Sequence, residues 1–218
     1  MIVVRRARQA GSGRTLAKNV WRLGPLMALG CLGIGLLWAA IDNLATTRLS
    51  WSDVQVYSFH AVFHPRAHPF RSVPGRFRVS APVDLVGSSH VVDGAAERLR
   101  IFVYSGDSRA ALYAVTYVDY PAAILKADPQ EVLTAVAEAS FGRSMHDRVV
   151  SEAPIAVDGR PGREIVARLR LHGTRAVASA CFVLAGNRLY ELEVIEPRAR
   201  YRKSRAEVFF DSFSLLSR

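Results

Sequence analysis

The feature that most constrains this chain is a run of nineteen residues, Leu23 to Ile41 (LGPLMALGCLGIGLLWAAI), without a single charged side chain. At about 1.5 Å per residue it makes a helix of roughly 28 Å, which matches the hydrocarbon core of a bilayer. Arg22 and Asp42 bracket the run, and each would cost about 2.5–3.5 kcal/mol at the bilayer centre, so they mark its ends. Trp21 and Trp38 sit near the two boundaries, where amphipathic rings prefer to lie. Pro25 falls in the first turn, where a missing N–H does little harm. The pattern predicts a transmembrane helix over 23–41.

Charge gives the orientation. Of 29 Lys and Arg, six (Arg5, Arg6, Arg8, Arg14, Lys18 and Arg22) precede the apolar run with no acid among them. Only Arg48 follows soon after, so the positive-inside rule places residues 1–22 in the cytoplasm and the remainder on the far side of the membrane. The formal charge of +10 would suggest nucleic acid, but 23 Lys and Arg against 19 Asp and Glu remain beyond the tail. That mild excess excludes nucleic-acid binding as the expected function. Two other readings of the N-terminus compete. A cleaved signal peptide needs a shorter apolar core and a small-x-small site. A lipoprotein acylated at Cys31 needs a better lipobox than Ala28-Leu29-Gly30-Cys31 and no long apolar continuation.

Residues 42–75 form a juxtamembrane segment rich in prolines and aromatics, with Val54 to Phe63 expected as an edge strand. It holds the one metal-like pattern, His60, His64 and His68. Residues four apart share a face on a helix and could grip a metal through two imidazoles. Pro65 and Pro69 deny that helix, and no acid or cysteine lies close by to complete the shell, so packing or exposed histidines are expected and no cofactor is assigned. A metal-dependent hydrolase built on these three histidines is the competing functional reading.

Residues 76–218 read as an exported α+β domain. Period-two patterns over Phe77–Val79, Leu99–Tyr104, Ala111–Val118, Arg163–Leu171, Ala176–Leu184 and Arg188–Ile195 predict strands. Gly186-Asn187 marks a hairpin, and Gly159, Pro161 and Gly162 shape a tight turn. In the last strand Tyr190, Leu192 and Val194 are expected inward, and Glu191 and Glu193 outward on a wetted face. Asp128-Pro129-Gln130-Glu131 predicts a capped helix running to about Ser140. Ser204-Arg205-Ala206-Glu207 repeats the logic for a final helix ending near Phe213. Strands, helix, strands and helix describe an antiparallel sheet with packed helices.

At these residues a resemblance appears. Arg76 to Pro82 (RFRVSAP), Tyr113 to Pro121 (YAVTYVDYP), Gly159 to Glu164 (GRPGRE), Arg188 to Tyr190 (RLY) and Phe209 to Phe213 (FFDSF) occur in this order. Over about residues 76–216 the chain resembles a widespread bacterial envelope domain of unknown function. Its fold is similar to the PsbP-like (photosystem II extrinsic protein P) α/β sandwich. The resemblance implies a non-enzymatic accessory or binding module and carries over no catalytic residues.

The residues agree with that expectation. No nucleophile elbow, phosphate loop, dinucleotide fingerprint or paired-cysteine motif occurs. Cys181, far in sequence from Cys31, is expected as a buried thiol that packs like a small apolar residue. Arg198, Arg200, Arg202, Lys203 and Arg205 form the one basic concentration of the domain, a candidate contact for an anionic surface or a solvated loop. The expected partners are the lipid bilayer and an envelope protein or small ligand.

Overall fold

A computed structural model describes residues 67–93, 98–108, 110–141, 149–171 and 174–217. The apolar run 23–41, Cys31, His60, His64 and the strand expected at 54–63 lie outside the described residues. Among those described, no helix is long and apolar enough to cross a membrane.

Among the described residues there are ten strands: β1 (His68–Ser72), β2 (Phe77–Ala81), β3 (Val86–Asp93), β4 (Arg98–Asp107), β5 (Leu112–Asp119), β6 (Val149–Val157), β7 (Arg160–Leu171), β8 (Thr174–Ala185), β9 (Arg188–Pro197) and β10 (Ser214–Leu215). Seven make one antiparallel sheet in the order β3-β4-β5-β9-β8-β7-β6, and β1-β2-β10 make a small second sheet. Helix α1 (Pro129–Phe141) precedes β6, and helix α2 (Lys203–Asp211) follows β9. The α+β architecture expected from the sequence is present. Its strands begin earlier than residue 76, because β1 pairs with β2 through His68 opposite Ala81 and Ser72 opposite Phe77.

Both faces of the large sheet are covered. Val132, Leu133, Val136 and Ala137 of α1 pack on one face against Ile165, Ala167, Ala178, Phe182 and Leu189. The small sheet and α2 cover the other, where Phe77, Tyr113, Tyr117, Tyr190, Phe209 and Phe213 form an aromatic cluster. Phe77 is fully buried at its centre, with the rings of Tyr104, Tyr190 and Phe213 centred 5.7, 6.1 and 5.6 Å away. Edge-to-face and offset pairs at such distances add about 0.5–1.5 kcal/mol each beyond burial of area. Tyr113, Tyr117 and Phe213 are buried. So is Cys181, whose thiol pKa is pushed up by burial in the same cluster.

Local rules explain the α1 cap and fail at α2. The Asp128 carboxylate accepts from the N–H groups of Gln130 and Glu131 at 2.8 and 3.1 Å, as its sequence predicts. In α2 the helix starts one residue before Ser204, and Ser204 does not cap it. The cap comes from the preceding strand instead. Buried Glu196 at the end of β9 accepts from the Arg202 N–H at 3.2 Å and pairs with the Arg205 guanidinium. A carboxylate at a helix N-terminus also meets the positive end of the helix dipole.

Candidate anion-binding cleft

The strand register gives the large sheet two ends. One carries the β6–β7 turn at 158–159 and the β8–β9 turn at 186–187, with the end of β5 at Asp119. Asp158 and Gly159 both take positive φ, 48° and 71°, the pairing a type I′ hairpin turn requires. Gly186 at φ 65° turns the neighbouring hairpin, as the Gly-Asn signal predicts. The two turns protrude side by side, and β10 runs past them as the edge of the small sheet. Between them lies an open cleft of about 1010 Å³, lined among others by Arg76, Arg78, Arg160, Arg188, Asp119 and Asp158.

Its charges are ordered by specific bonds. Arg188 grips Asp119 with two parallel hydrogen bonds, Nε to Oδ1 and Nη2 to Oδ2, both 2.6 Å. Its Nη1 donates to the Pro74 carbonyl at 2.8 Å, and its guanidinium lies 4.6 Å from the centre of the Tyr117 ring. The Asp119 bond holds the Arg188 pKa above its ordinary value, against the opposing effect of burial. Arg78 Nε donates to Ser214 Oγ at 2.7 Å, and Asp158 accepts from the Leu215 N–H at 2.8 Å. Arg76 takes φ 55°, an uncommon conformation for a side chain with a Cβ, while its carbonyl accepts from the Leu216 N–H. The Tyr190 hydroxyl closes the floor by donating to the Gly75 carbonyl at 2.7 Å. Four guanidinium groups thus face two carboxylates, and both carboxylates are already bonded to the protein. The surplus is cationic and suits an anion.

The residues singled out in the sequence do not assemble here. His68 sits in β1, half-exposed, with Nδ1 2.7 Å from Asp84 Oδ1. Among the described residues no group of three His, Cys, Asp or Glu could hold a metal ion. In the basic run, Arg198, Arg202 and Lys203 are exposed, while Arg205 is committed to Glu196.

The expected wetted face of β9 is corrected. Glu191 and Glu193 are 3 % and 2 % exposed, because α1 roofs the face on which they stand. Neither Glu191 oxygen has a hydrogen-bond partner, nor does Glu193 Oε1. Burial pushes the Glu193 pKa up to about 8; burial and the neighbouring Glu193 raise Glu191 well above the carboxylate range. Such groups are stable in this place as neutral acids. The period-two pattern gives their face correctly; which face is roofed depends on tertiary packing. The cleft itself left one legible trace, the turn-forming glycines beside Arg160 and Arg188. Nothing in the sequence shows that register brings Arg76 and Arg78 to the same end.

The comparisons with known proteins concern architecture. No protein-family model matches the chain, and no curated protein matches it. Among solved structures it is similar to cyanobacterial PsbP (CyanoP) from Synechocystis sp. PCC 6803, with a TM-score of 0.47 and 15% identity over 73% of this chain and 98% of that one. A protein from Bacteroides thetaiotaomicron gives 0.40 at 13% identity, over 68% of this chain and 48% of that one. A Pseudomonas aeruginosa protein of unknown function gives 0.33 at 9% identity, over 62% and 85%. The first of these is a protein of the kind that the sequence resemblance names.

Proposed function

We propose that this chain is a membrane-anchored envelope protein whose α+β domain works as a non-catalytic binding module, taking a small organic anion in the arginine-lined cleft. The observation that carries the binding reading is the cationic excess around one open cavity, where Arg76, Arg78 and Arg160 stand beside an Arg188–Asp119 pair and a single further acid, Asp158. Rigid hairpin turns position the cleft, so little ordering is needed when a ligand enters. Carboxylate or phosphate groups fit the donors, and Leu215 and Leu216 offer apolar contact for the rest of the molecule. The anchoring reading is supported by the uncharged run Leu23–Ile41 and its one-sided basic flank.

Two measurements test the two halves. A periplasm-dependent reporter fused after Arg218 is expected to be active, and the chain to resist alkaline carbonate extraction; a reporter active only in the cytosol contradicts the placement. The detergent-solubilised chain is expected to melt at higher temperature with citrate or pyrophosphate than with chloride at equal ionic strength. Equal melting in all three contradicts the binding reading.

A further inference from the structure

The opposite end of the sheet carries a second group of arginines with a different character. Arg168 and Arg170 of β7 alternate with Ile165, Ala167 and Leu169, which face α1, so they stand on the other face of the sheet. Arg175 of β8 is directly opposite Arg170 in the antiparallel register. Arg198, just beyond β9, completes a shallow depression of about 180 Å³ with these three. All four are exposed. None forms an ion pair with any described residue, and the acid closest along the chain, Glu196, is buried and bound to Arg205. Like charges directly across a strand pair repel. A fold that leaves them so gains when a counter-charge is brought to them.

The chain also enters the domain at this end. Asp84 bonds His68 at the start of β1, and its carbonyl packs so closely on Gly106 that a Cβ there would lie 2.3 Å away. Gly106 pairs with Tyr113 near the start of β5, and Leu112 pairs with Ile195 near the end of β9, so His68 and Arg198 belong to one end. The 26 residues between Ile41 and His68 could span about 90 Å if fully extended. A tether of that reach lets either end face the bilayer; both ends are cationic, but the turn-end arginines share their cleft with Asp119 and Asp158, whereas no acid lines the depression at the entry end.

We infer that Arg168, Arg170, Arg175 and Arg198 form a docking surface for anionic lipid headgroups, which seats the entry end on the membrane and points the cleft away from it. This orientation rests on the anchored reading of the N-terminus. Attraction of this kind falls off within a Debye length, about 8 Å at physiological salt, so it needs close approach and yields to added salt.

The test uses the full chain in vesicles, in a Cys31→Ser background, with a dye on either Ala199→Cys at the entry end or Ser217→Cys at the cleft end. Buried Cys181 stays unlabelled. Lipids with a headgroup nitroxide quench dyes near the surface. With about 30 % phosphatidylglycerol in phosphatidylcholine, quenching at position 199 is expected to be at least about twice that at 217. The difference is expected to vanish in phosphatidylcholine alone, in about 0.5 M salt, and in the Arg168→Glu/Arg170→Glu/Arg175→Glu variant. The lipid and salt arms decide the matter should that variant fold poorly. Equal quenching at both positions on anionic vesicles overturns the orientation while leaving anchoring intact. A chain that carbonate strips from the vesicles overturns both. Loss of the difference on adding inorganic phosphate at constant ionic strength, or tighter binding to an oligonucleotide than to the vesicles, assigns the cluster to another anion and overturns the lipid docking.

Discussion

The two ends of the large sheet each gather arginines and use them in different ways. At the turn end Arg188 and Arg78 are fixed by Asp119 and Ser214, and the cleft between the hairpins has a defined shape. At the entry end Arg168, Arg170, Arg175 and Arg198 have no acid to hold them and surround only a shallow depression. Charges held by neighbours make a site that selects a ligand by geometry. Charges left to solvent make a field that attracts a surface without selecting a shape. The same residue type therefore supports two functions: at the turn end Arg188 and Arg78 are tied to Asp119 and Ser214 around a defined cleft, and at the entry end none of the four has an acid partner among the described residues.

The largest effect that could break this contrast is in the backbone beneath it. Gly106→Ala at the entry end would press a Cβ to within 2.3 Å of the Asp84 carbonyl oxygen, an atom that cannot rotate away. A loss of about 3 kcal/mol is expected in denaturant melts. Gly159→Ala at the turn end meets nothing within 4 Å and pays only for its φ of 71°, about 1 kcal/mol. Next comes Arg188→Ala, which removes the Asp119 pair, the Pro74 bond and the Tyr117 contact together. About 2 kcal/mol is expected, discounted for the half-exposed Asp119.

Between the ends, Glu191 and Glu193 make stability depend on pH. Their folded pKa values lie above the ordinary carboxylate value, so the stabilisation is complete below about pH 4.5 and declines as pH rises above it, for Glu193 until about pH 8. Each group steepens the decline by up to about 1.4 kcal/mol per pH unit. Melts of Glu191→Gln/Glu193→Gln between pH 5 and pH 8, about the same two limits, are expected to be flatter than those of the parent. The smallest effect is the most diagnostic of the comparison. Arg170→Gln relieves its repulsion from Arg175, and stability is expected to stay level or rise by about 0.2–0.5 kcal/mol. A clear loss at Arg170 would mean that the entry-end arginines are held after all.

Local pattern made part of this legible. The Asp128 cap, the Gly159 and Gly186 turns and the buried positions of β7, β8 and β9 follow from side-chain type and period alone. The less regular strands did not, for particular reasons. β3 (VGSSHVVD) is exposed along most of its length, and β6 (VVSEAPIAV) carries Pro154 and is mostly exposed despite its apolar residues, so neither alternates as a strand with one buried face would. β1 became visible only through its pairing with β2. The carboxylates of β9 were misread because their pattern fits a wetted face as well as a roofed one. Arg205 was read with the basic run because its partner, Glu196, lies nine residues earlier in a different element. The cleft draws together Arg76, Arg78, Asp119, Arg160 and Arg188, residues distant in sequence, which no spacing rule reports.

The most direct test of the account is a calorimetric titration of the detergent-solubilised full chain with citrate. Saturable binding at one site per chain is expected, weakened about tenfold or more by Arg76→Ala/Arg160→Ala and unchanged by Arg168→Gln/Arg170→Gln. No binding, or equal weakening by both pairs, would contradict the claim that the turn end is a shaped site and the entry end is not.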